Sequence, residues 1–221
     1  MGDPVVAIDG PSGSGKSTLA ARLASELGIP YVNTGLMYRA LTLRALRTGT
    51  DPDGGQDLAR LARTLSFDLD RTRTPASLQI DGRPPDDALA SPEVESRVSQ
   101  VARHLEVRTI LRAEQRRLGR DGGVIEGRDI GSVVFRDADV KIFLLGAPRE
   151  RAARRTRERE ESAAAQPTPE IAEAMSERDA KDATVNPLVP APDAVTIDTT
   201  GLDADDVYAI ARKVIRERIG R

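Results

Sequence analysis

The sequence has no cysteine, one histidine and little charge imbalance, and each of these excludes a class of function. Without cysteine, the 221-residue chain cannot form disulfides, thiolate metal sites or a cysteine nucleophile. The single histidine, His104, excludes multi-histidine metal sites and argues against a Ser-His-Asp triad. A net charge of −2 argues against a dedicated nucleic-acid binder. No apolar run approaches the roughly 20 residues of a membrane span, and the first residues do not resemble a signal peptide. We therefore expect a soluble, cytoplasmic protein that binds neither nucleic acid nor membrane.

Lysine is also scarce, since Lys16 is one of four lysines and the other 29 of the 33 basic residues are arginines. A bias in codon usage would explain this ratio without a functional cause. Arginine nevertheless suits bidentate phosphate binding, whereas lysine offers a slim point charge. The lysine at position 16 therefore indicates a site that requires that shape.

Five short apolar segments alternate with helical patterns along the chain. The first, Val5 to Asp9, ends at Gly10-Pro11, as is typical of a buried parallel strand. The other strand candidates are 31–32, 124–126, 140–145 and 195–197, and the helical patterns are about 19–27, 36–48 and 205–219. This alternation predicts a doubly wound α/β sheet in one domain, 1–221.

Two segments interrupt the alternation. Residues 50–92 contain a helical patch and two hairpin strands, 67–69 and 78–80, around a turn at Thr74-Pro75, and we interpret them as an inserted subdomain. Helical sequence then extends from Ser91-Pro92, which suits an N-cap and first helical residue, to about Leu118. A second insertion is expected over 149–187.

The segment after the first strand fits the pattern G-x-x-x-x-G-K-[ST] of a phosphate-binding loop. The required context is present, because a buried strand precedes it and an amphipathic helix follows it. Its glycines allow the backbone N–H groups to face inward around an anion, and the helix N-terminus adds the positive end of its dipole. Lys16 is expected to reach the β- and γ-phosphates, and the Ser17 hydroxyl is the expected ligand of Mg²⁺. The residues expected to bind a nucleoside triphosphate are Gly10, Pro11, Ser12, Gly13, Ser14, Gly15, Lys16, Ser17 and Thr18.

Polar residues at two further strand ends indicate a second ligand beside the triphosphate. Thr34-Gly35 follows the second strand, with Arg39 one turn into the next helix, and Arg128 follows the strand at 124–126. The carboxyl ends of parallel strands face the ligand crevice of such a sheet. Either arginine alone would be interpreted as a surface ion pair. Together beside a phosphate loop, they are expected to hold a second phosphate group.

The chain resembles bacterial cytidylate kinases over nearly its whole length, with the motifs in the same order. The most specific block is Glu126-Gly127-Arg128-Asp129-x-Gly131-x-Val133-Val134-Phe135. The others are Ile8 to Ser17, Thr34-Gly35-x-x-Tyr38-Arg39, Ser99-Gln100-Val101-Ala102, Val140-Lys141-Ile142-Phe143-Leu144 and Arg178-Asp179-x-x-Asp182. The resemblance implies a five-stranded P-loop kinase core with a nucleotide-binding insertion and a lid. It also implies transfer of the ATP γ-phosphoryl group to CMP or dCMP, with Mg²⁺ bound as MgATP. We expect the chain to be a monomer.

The resemblance also assigns roles to individual residues. The CMP phosphate would be held by Arg39, Arg128 and Arg178, and the acceptor site would include Thr34, Gly35 and Tyr38. The cytosine would be recognised by Ser99, Arg108 and Asp129, and the ribose by Asp182. Cytosine offers an N4 amine donor with N3 and O2 acceptors, which a carboxylate and an arginine or serine complement. The alternative for Asp129 is an ion pair that orients Arg128, and the alternative for Ser99 is a solvated helix position.

Two positions depart from the family pattern. Asn33 stands where an aspartate is usual, which weakens a role for this side chain in placing the water shell of the metal. The segment after Asp182 is shorter than usual and lacks an arginine that relatives carry for the ribose. The balance between CMP and dCMP is therefore not predicted.

Six arginines lie within residues 149–159, at the start of the second insertion. Most of them are expected to be solvated and paired with neighbouring glutamates. In the family, a lid closes at this position over the transferring phosphoryl group, whose charge an arginine can neutralise. Arg154 and Arg157 are the candidates for that role.

Three other functions fit parts of this pattern. Another small-molecule P-loop kinase, acting on UMP, AMP or another acceptor, would share the phosphate loop, although the Asp-Gly-aromatic-Pro-Arg motif of adenylate kinases is absent. A GTP-dependent switch would need an Asn-Lys-x-Asp guanine motif, which is also absent from the sequence. A nucleotide-binding protein without catalysis would be expected to lack Lys16 or the acceptor arginines. His104 is expected to be an ordinary helix residue.

Overall fold

The computed structural model describes residues 2–161 and 188–220, which form a sheet with helices on both faces. The strands are β1 (Val5–Asp9), β2 (Tyr31–Asn33), β3 (Phe67–Asp70), β4 (Ser77–Ile80), β5 (Gly123–Gly127), β6 (Val140–Leu145) and β7 (Val195–Asp198). The helices are α1 (Lys16–Leu27), α2 (Thr34–Thr48), α3 (Gly55–Ala62), α4 (Pro92–Ala102), α5 (Leu105–Gly119), α6 (Pro148–Glu161) and α7 (Ala204–Ile219). A 3₁₀ turn (Asp87–Ala90) precedes α4, and a π-helical turn (Ile130–Val134) follows β5.

The sheet has the strand order β3-β4-β2-β5-β1-β6-β7. Five consecutive strands that reach one edge of the sheet, β2-β5-β1-β6-β7, pair in parallel, and β1 is the middle strand of these five, with Val6 aligned to Val124 and Val140. These are the five predicted strands, and the predicted doubly wound α/β fold is confirmed. The central position of β1 places the phosphate loop, which follows it directly, at the middle of the carboxyl edge of the sheet.

Strand β1 is buried on both faces, which explains its continuous apolar sequence. Val6 and Ile8 pack with α1 and α7 in one hydrophobic cluster, whereas Ala7 packs on the opposite face with α2, α3 and α5. All three side chains are fully buried, as expected for a parallel strand covered by helices on both sides. Among the described helices, none is both long and apolar enough to cross a membrane.

The segment 50–92 extends the sheet. Its two strands form the predicted antiparallel hairpin, with Phe67 opposite Ile80, and β4 joins β2 through the parallel pair Tyr31–Ser77. Helix α3 packs against α5, with Leu58 fully buried in the same cluster as Leu111. The hairpin is thus continuous with the core sheet, and the treatment of 50–92 as a separate subdomain stays a prediction, as does the division at 149–187.

The helical stretch predicted from 91 to about 118 is divided at His104. The backbone of His104 is extended (φ −72°, ψ 123°), and this residue is the N-cap of α5. Its Nε2 lies 2.9 Å from the carbonyl oxygen of Pro52. The prediction of an ordinary helix residue was therefore wrong, because a contact with a distant loop competes here with helix continuation. Arg108, in the first turn of α5 after this break, donates a hydrogen bond to Asp129 just beyond the end of β5.

Candidate active site

The phosphate loop connects β1 to α1 and depends on glycine at two close contacts. Gly10 and Gly13 have positive φ values of 149° and 69°. A Cβ atom at Gly10 would lie 2.4 Å from the carbonyl oxygen of Leu144, and one at Gly13 would lie 2.4 Å from that of Arg151. Both positions therefore exclude other residues. Gly15 at the N-cap has no side chain to cap α1, so the first N–H groups of the helix face the loop's interior as an anion site.

The first two residues of α1, Lys16 and Ser17, place their side chains beside the phosphate loop. Lys16 Nζ donates a hydrogen bond to the carbonyl oxygen of Pro11 at 2.7 Å. Ser17 Oγ donates to Glu126 Oε2 at 3.0 Å. The lysine head therefore lies over the loop, and the serine hydroxyl lies beside a carboxylate.

Glu126 lies in the site, and no role was predicted for it from the sequence. It is 3% exposed, although it lies in a strand that is otherwise apolar. Its second carboxylate oxygen accepts a hydrogen bond from the Tyr31 hydroxyl. Burial, together with the charge of Glu126, raises the pKa of Tyr31 well above its usual range. A buried acid at the carboxyl end of a strand beside the phosphate loop was the signal that could have identified it.

Asn33 and Thr34 hold the neighbouring strand end in place. Asn33 Oδ1 accepts a hydrogen bond from Leu36 N and so caps α2. Thr34 Oγ1 donates to the carbonyl oxygen of Glu126 at 2.8 Å. The neutral Asn33 thus has a structural task as a helix cap, and Thr34 links β2 to β5 at the edge of the site.

One cavity of about 440 Å³ brings together most of the predicted residues. From the phosphate loop and α1, it is lined by Ser12, Gly13, Gly15, Lys16 and Ser17. From the predicted acceptor side, it is lined by Thr34, Gly35, Tyr38, Arg39, Ser99, Arg108, Arg128 and Asp129. These acceptor residues come from α2, α4, α5 and the end of β5, so only the folded chain assembles them. We call this space the acceptor cavity.

Two arginines line the acceptor cavity near the phosphate loop. Arg39 Nη1 donates to the carbonyl oxygen of Leu89 at 2.8 Å, and its Nη2 lies 3.6 Å from Glu95 Oε1. Arg128 Nη1 donates to the carbonyl oxygen of Gly10 at 3.5 Å. The first arginine is therefore joined to the 3₁₀ turn and α4, and the second to the phosphate loop itself.

Asp129 is bonded to arginines, but not to Arg128. Its Oδ2 accepts from Arg108 Nη2 at 2.9 Å and from Arg112 Nη2 at 2.5 Å. Burial and the charge of Asp129 raise the pKa of nearby Tyr38 to about 12, so this phenol stays protonated at neutral pH. Arg112 was not named from the sequence, although its spacing of four residues from Arg108 places both on one helix face.

Asp9 ties the phosphate loop to the segment that carries Arg128 and Asp129. Its two carboxylate oxygens accept from Ile130 N at 2.7 Å and from Gly131 N at 2.8 Å. Burial raises the pKa of Asp9 to about 6, against the opposite effect of these two hydrogen bonds. The last residue of β1 therefore fixes the start of the π-helical turn.

We expect the stability of the protein relative to Asp9→Asn to fall as the pH rises from 4 to 7. The folded state binds the Asp9 proton more tightly than the unfolded state does, so this stabilising contribution is complete below pH 4 and is lost through pH 6. A difference of about two pKa units corresponds to about 3 kcal/mol. Urea unfolding of both proteins across this pH range measures it, and a constant difference would contradict the raised pKa.

A second cavity, of about 660 Å³, lies on the other side of α1. It is lined by residues of α1, α6 and the loop before α7, among them Thr18, Arg22, Arg154 and Leu202. Arg154 donates to Thr199 Oγ1 at 2.8 Å and to the carbonyl oxygen of Thr199 at 2.6 Å. Its neighbour Arg151 instead donates to the carbonyl oxygen of Ser12 in the phosphate loop at 2.8 Å.

The predicted contact of Arg154 with the transferring phosphoryl group stays a prediction, since this side chain lines the second cavity. Arg151 is the described arginine of α6 that contacts the phosphate loop, and the sequence reasoning did not name it. The side chain of Arg157 and both Arg178 and Asp182 lie outside the described residues.

Comparison with known proteins places this chain in a family. The profile of the cytidylate kinase family matches residues 6–217. A cytidylate kinase of Enterococcus faecalis (strain ATCC 700802 / V583) is 40% identical over 221 residues, covering 99% of this chain and 98% of the relative. A cytidylate kinase of Solibacter usitatus (strain Ellin6076) is 42% identical over 220 residues, covering 97% and 93%.

Other relatives are longer. A bifunctional pantoate ligase/cytidylate kinase of Synechococcus sp. (strain WH7803) is 42% identical over 223 residues, and the chain spans 46% of its length. Among solved structures, an uncharacterized protein from Eubacterium ventriosum ATCC 27560 aligns over 98% of this chain with a TM-score of 0.51 at 16% identity. That likeness concerns the fold alone. On the family profile and the full-length relatives, the chain belongs to the cytidylate kinase family.

Proposed function

We propose that this chain transfers the γ-phosphoryl group of ATP to CMP or dCMP, giving ADP and CDP or dCDP. The observation that supports the proposal is the acceptor cavity, which is lined by Lys16, by Arg39 and Arg128 and by the Arg108–Asp129 pair. Lys16 suits a triphosphate, Arg39 and Arg128 suit a monophosphate, and the Arg108–Asp129 pair suits the edge of a cytosine base.

The reaction needs no general base, because the CMP phosphate oxygen is already an anion at neutral pH. The difficulty is to bring two highly charged groups into line against their repulsion. Lys16, Arg39 and Arg128, which all line the cavity, would supply the compensating positive charge. Water, which would otherwise hydrolyse ATP, has to be excluded while the phosphoryl group is transferred.

The residues beside the phosphate loop fit a magnesium ion bound with ATP. The Ser17 hydroxyl and the Glu126 carboxylate lie 3.0 Å apart, and both are hard oxygen ligands of the kind Mg²⁺ prefers. Within residues 2–161 and 188–220, no group of three or more acidic, histidine or cysteine side chains could hold a metal by itself. Phosphate oxygens of the nucleotide would therefore complete the site, and the ion would neutralise their charge.

The donor nucleoside is assigned to the second cavity. This cavity adjoins the phosphate loop at Ser14 and Gly15 and is separated from the acceptor cavity by the start of α1. Triphosphate bound along the loop would then run from the second cavity towards Lys16, with its γ-phosphate facing the two acceptor arginines.

A nucleotide panel tests the proposal. ADP release is measured with ATP and each of CMP, dCMP, UMP, AMP, GMP and dTMP. We expect CMP and dCMP to be used best. UMP is expected to be slower by on the order of 10⁴-fold in kcat/KM, because it leaves Asp129 facing a lone pair and Arg108 facing a donor. Preferred use of UMP, AMP or another acceptor would assign the chain to a different kinase reaction.

A further inference from the structure

Arg112 lies behind the wall of the acceptor cavity and shares a carboxylate with a residue of that wall. Arg108 and Arg112 are one turn apart on α5, and both donate to Oδ2 of Asp129, at 2.9 Å and 2.5 Å. Arg108 and Asp129 line the cavity, whereas Arg112 stands outside its lining. The side chains of Arg108, Arg112 and Asp129 are 11%, 20% and 10% exposed, so this cluster is largely buried.

Two guanidinium groups share one carboxylate oxygen, although one of them is enough to neutralise it. One arginine neutralises Asp129, and the second adds an unbalanced charge and the cost of its desolvation. Like charges four residues apart on a helix also repel each other. The second arginine has a function when the other one leaves the carboxylate on binding of the ligand, because Asp129 then still has a partner.

The positions of the two arginines show which one can leave. Arg108 faces the cavity and can turn towards a base without moving its backbone. Arg112 is absent from the cavity lining and lies near Tyr38, where its charge and that of Arg108 lower the pKa of the phenol against the larger, opposite effects of burial and of Asp129. Neither arginine engages Oδ1 of Asp129, so this oxygen can accept from an amino group of the base.

We propose that Arg112 is a positioning residue for the acceptor base, which keeps Asp129 ionised and oriented while Arg108 turns from Asp129 to the base. This inference rests on the proposed function. In the bound state, Asp129 would be bonded to Arg112 on Oδ2 and to the N4 amino group on Oδ1. Arg108 would then donate to N3 or O2 of cytosine.

Steady-state kinetics of Arg112→Leu and Arg112→Lys test this role. For Arg112→Leu, we expect the KM for CMP to rise about 10- to 30-fold, while kcat changes less than about threefold and the KM for ATP is unchanged. The kcat/KM ratio of CMP to UMP is expected to narrow about tenfold, because a poorly held Asp129 discriminates less. Arg112→Lys restores a charge and is expected to recover most of both losses. Arg120→Leu, an exposed position at the end of α5, is the matched control and should match the wild type.

The outcomes separate this inference from the proposed function. A wild-type enzyme that does not phosphorylate CMP overturns both, before any variant is made. A wild type active on CMP with an unchanged KM and CMP/UMP ratio in Arg112→Leu overturns the inference alone. Equal losses for CMP, UMP and ATP, with a lowered melting temperature and no rescue by lysine, assign Arg112 a purely structural role and also overturn it. If Arg112→Leu does not fold, the kcat/KM ratio of CMP to UMP is measured for Arg112→Lys and Arg112→Gln instead, and an unchanged ratio in Arg112→Gln overturns the inference.

Discussion

Replacement of Lys16 by alanine is expected to lower kcat by roughly 10³- to 10⁵-fold, the range that a charge directed at a transferring phosphoryl group has in related chemistry. Lys16 begins α1 and lines the acceptor cavity, and its ammonium group lies over the phosphate loop at Pro11. In the proposed reaction it faces the charge that develops in the transition state, so we expect its loss to affect the chemical step more than the binding of ATP. Single-turnover kinetics with CMP measures the effect.

Two further variants make this test specific. Lys213→Ala removes a lysine that is 79% exposed and paired with Glu217 in α7, so we expect wild-type turnover. Lys16→Arg keeps the charge but introduces a wide, planar head, and we expect it to remain at least about 10²-fold below the wild type. Near-normal turnover of Lys16→Ala would contradict the role of this residue, and near-normal turnover of Lys16→Arg would contradict the need for a slim point charge.

The second large effect is expected at the acceptor arginines. Arg128→Ala should lower kcat/KM for CMP by about 30- to several thousand-fold, which corresponds to the roughly 2 to 5 kcal/mol lost when a buried charge pair loses one partner. Arg39→Ala should behave similarly. The KM for ATP should change less than about threefold, because both side chains lie on the acceptor side of the phosphate loop.

The change in kcat/KM for CMP, compared with the change in KM for ATP, tests this prediction. Arg60→Ala is the control, since this arginine is 69% exposed in α3 and pairs with Asp57. Equal damage to the use of ATP and CMP would place the arginines on the donor side. Arg128 also donates to Gly10, so the melting temperature of Arg128→Ala should be measured beside its kinetics.

Much of the architecture was predictable, because its determinants are local. The continuous apolar run of β1, the glycines at positions 10 and 13 and the following amphipathic helix each reflect short-range physics: burial on both faces, backbone approach and helical periodicity. The same is true of the hairpin strands and of the alternation that defines the doubly wound sheet. The phosphate loop was therefore placed on the correct elements from sequence alone.

The arrangement of charges within the site could not be predicted in the same way. The apolar strand around Glu126 indicates that this acid is buried, but it does not indicate its partner, because only the pairing of β1 with β5 brings Glu126 to Ser17. Asp9 ends β1 as predicted, but the sequence did not indicate that its carboxylate accepts hydrogen bonds from backbone N–H groups 121 and 122 residues further along the chain. These contacts depend on the parallel register, which no short window of sequence contains.

The sequence by itself determined the phosphate loop, the five-stranded core and the residue types available to hold two nucleotides, since each is encoded within a few neighbouring residues. Only the tertiary structure decided which charges meet. Helix α5, which begins after the break at His104, provides both arginines that pair with Asp129, Arg108 and Arg112, whereas the neighbouring Arg128 donates to Gly10. An ion pair is chosen by distance in space, and distances between helices and strand ends are set by packing of the whole core.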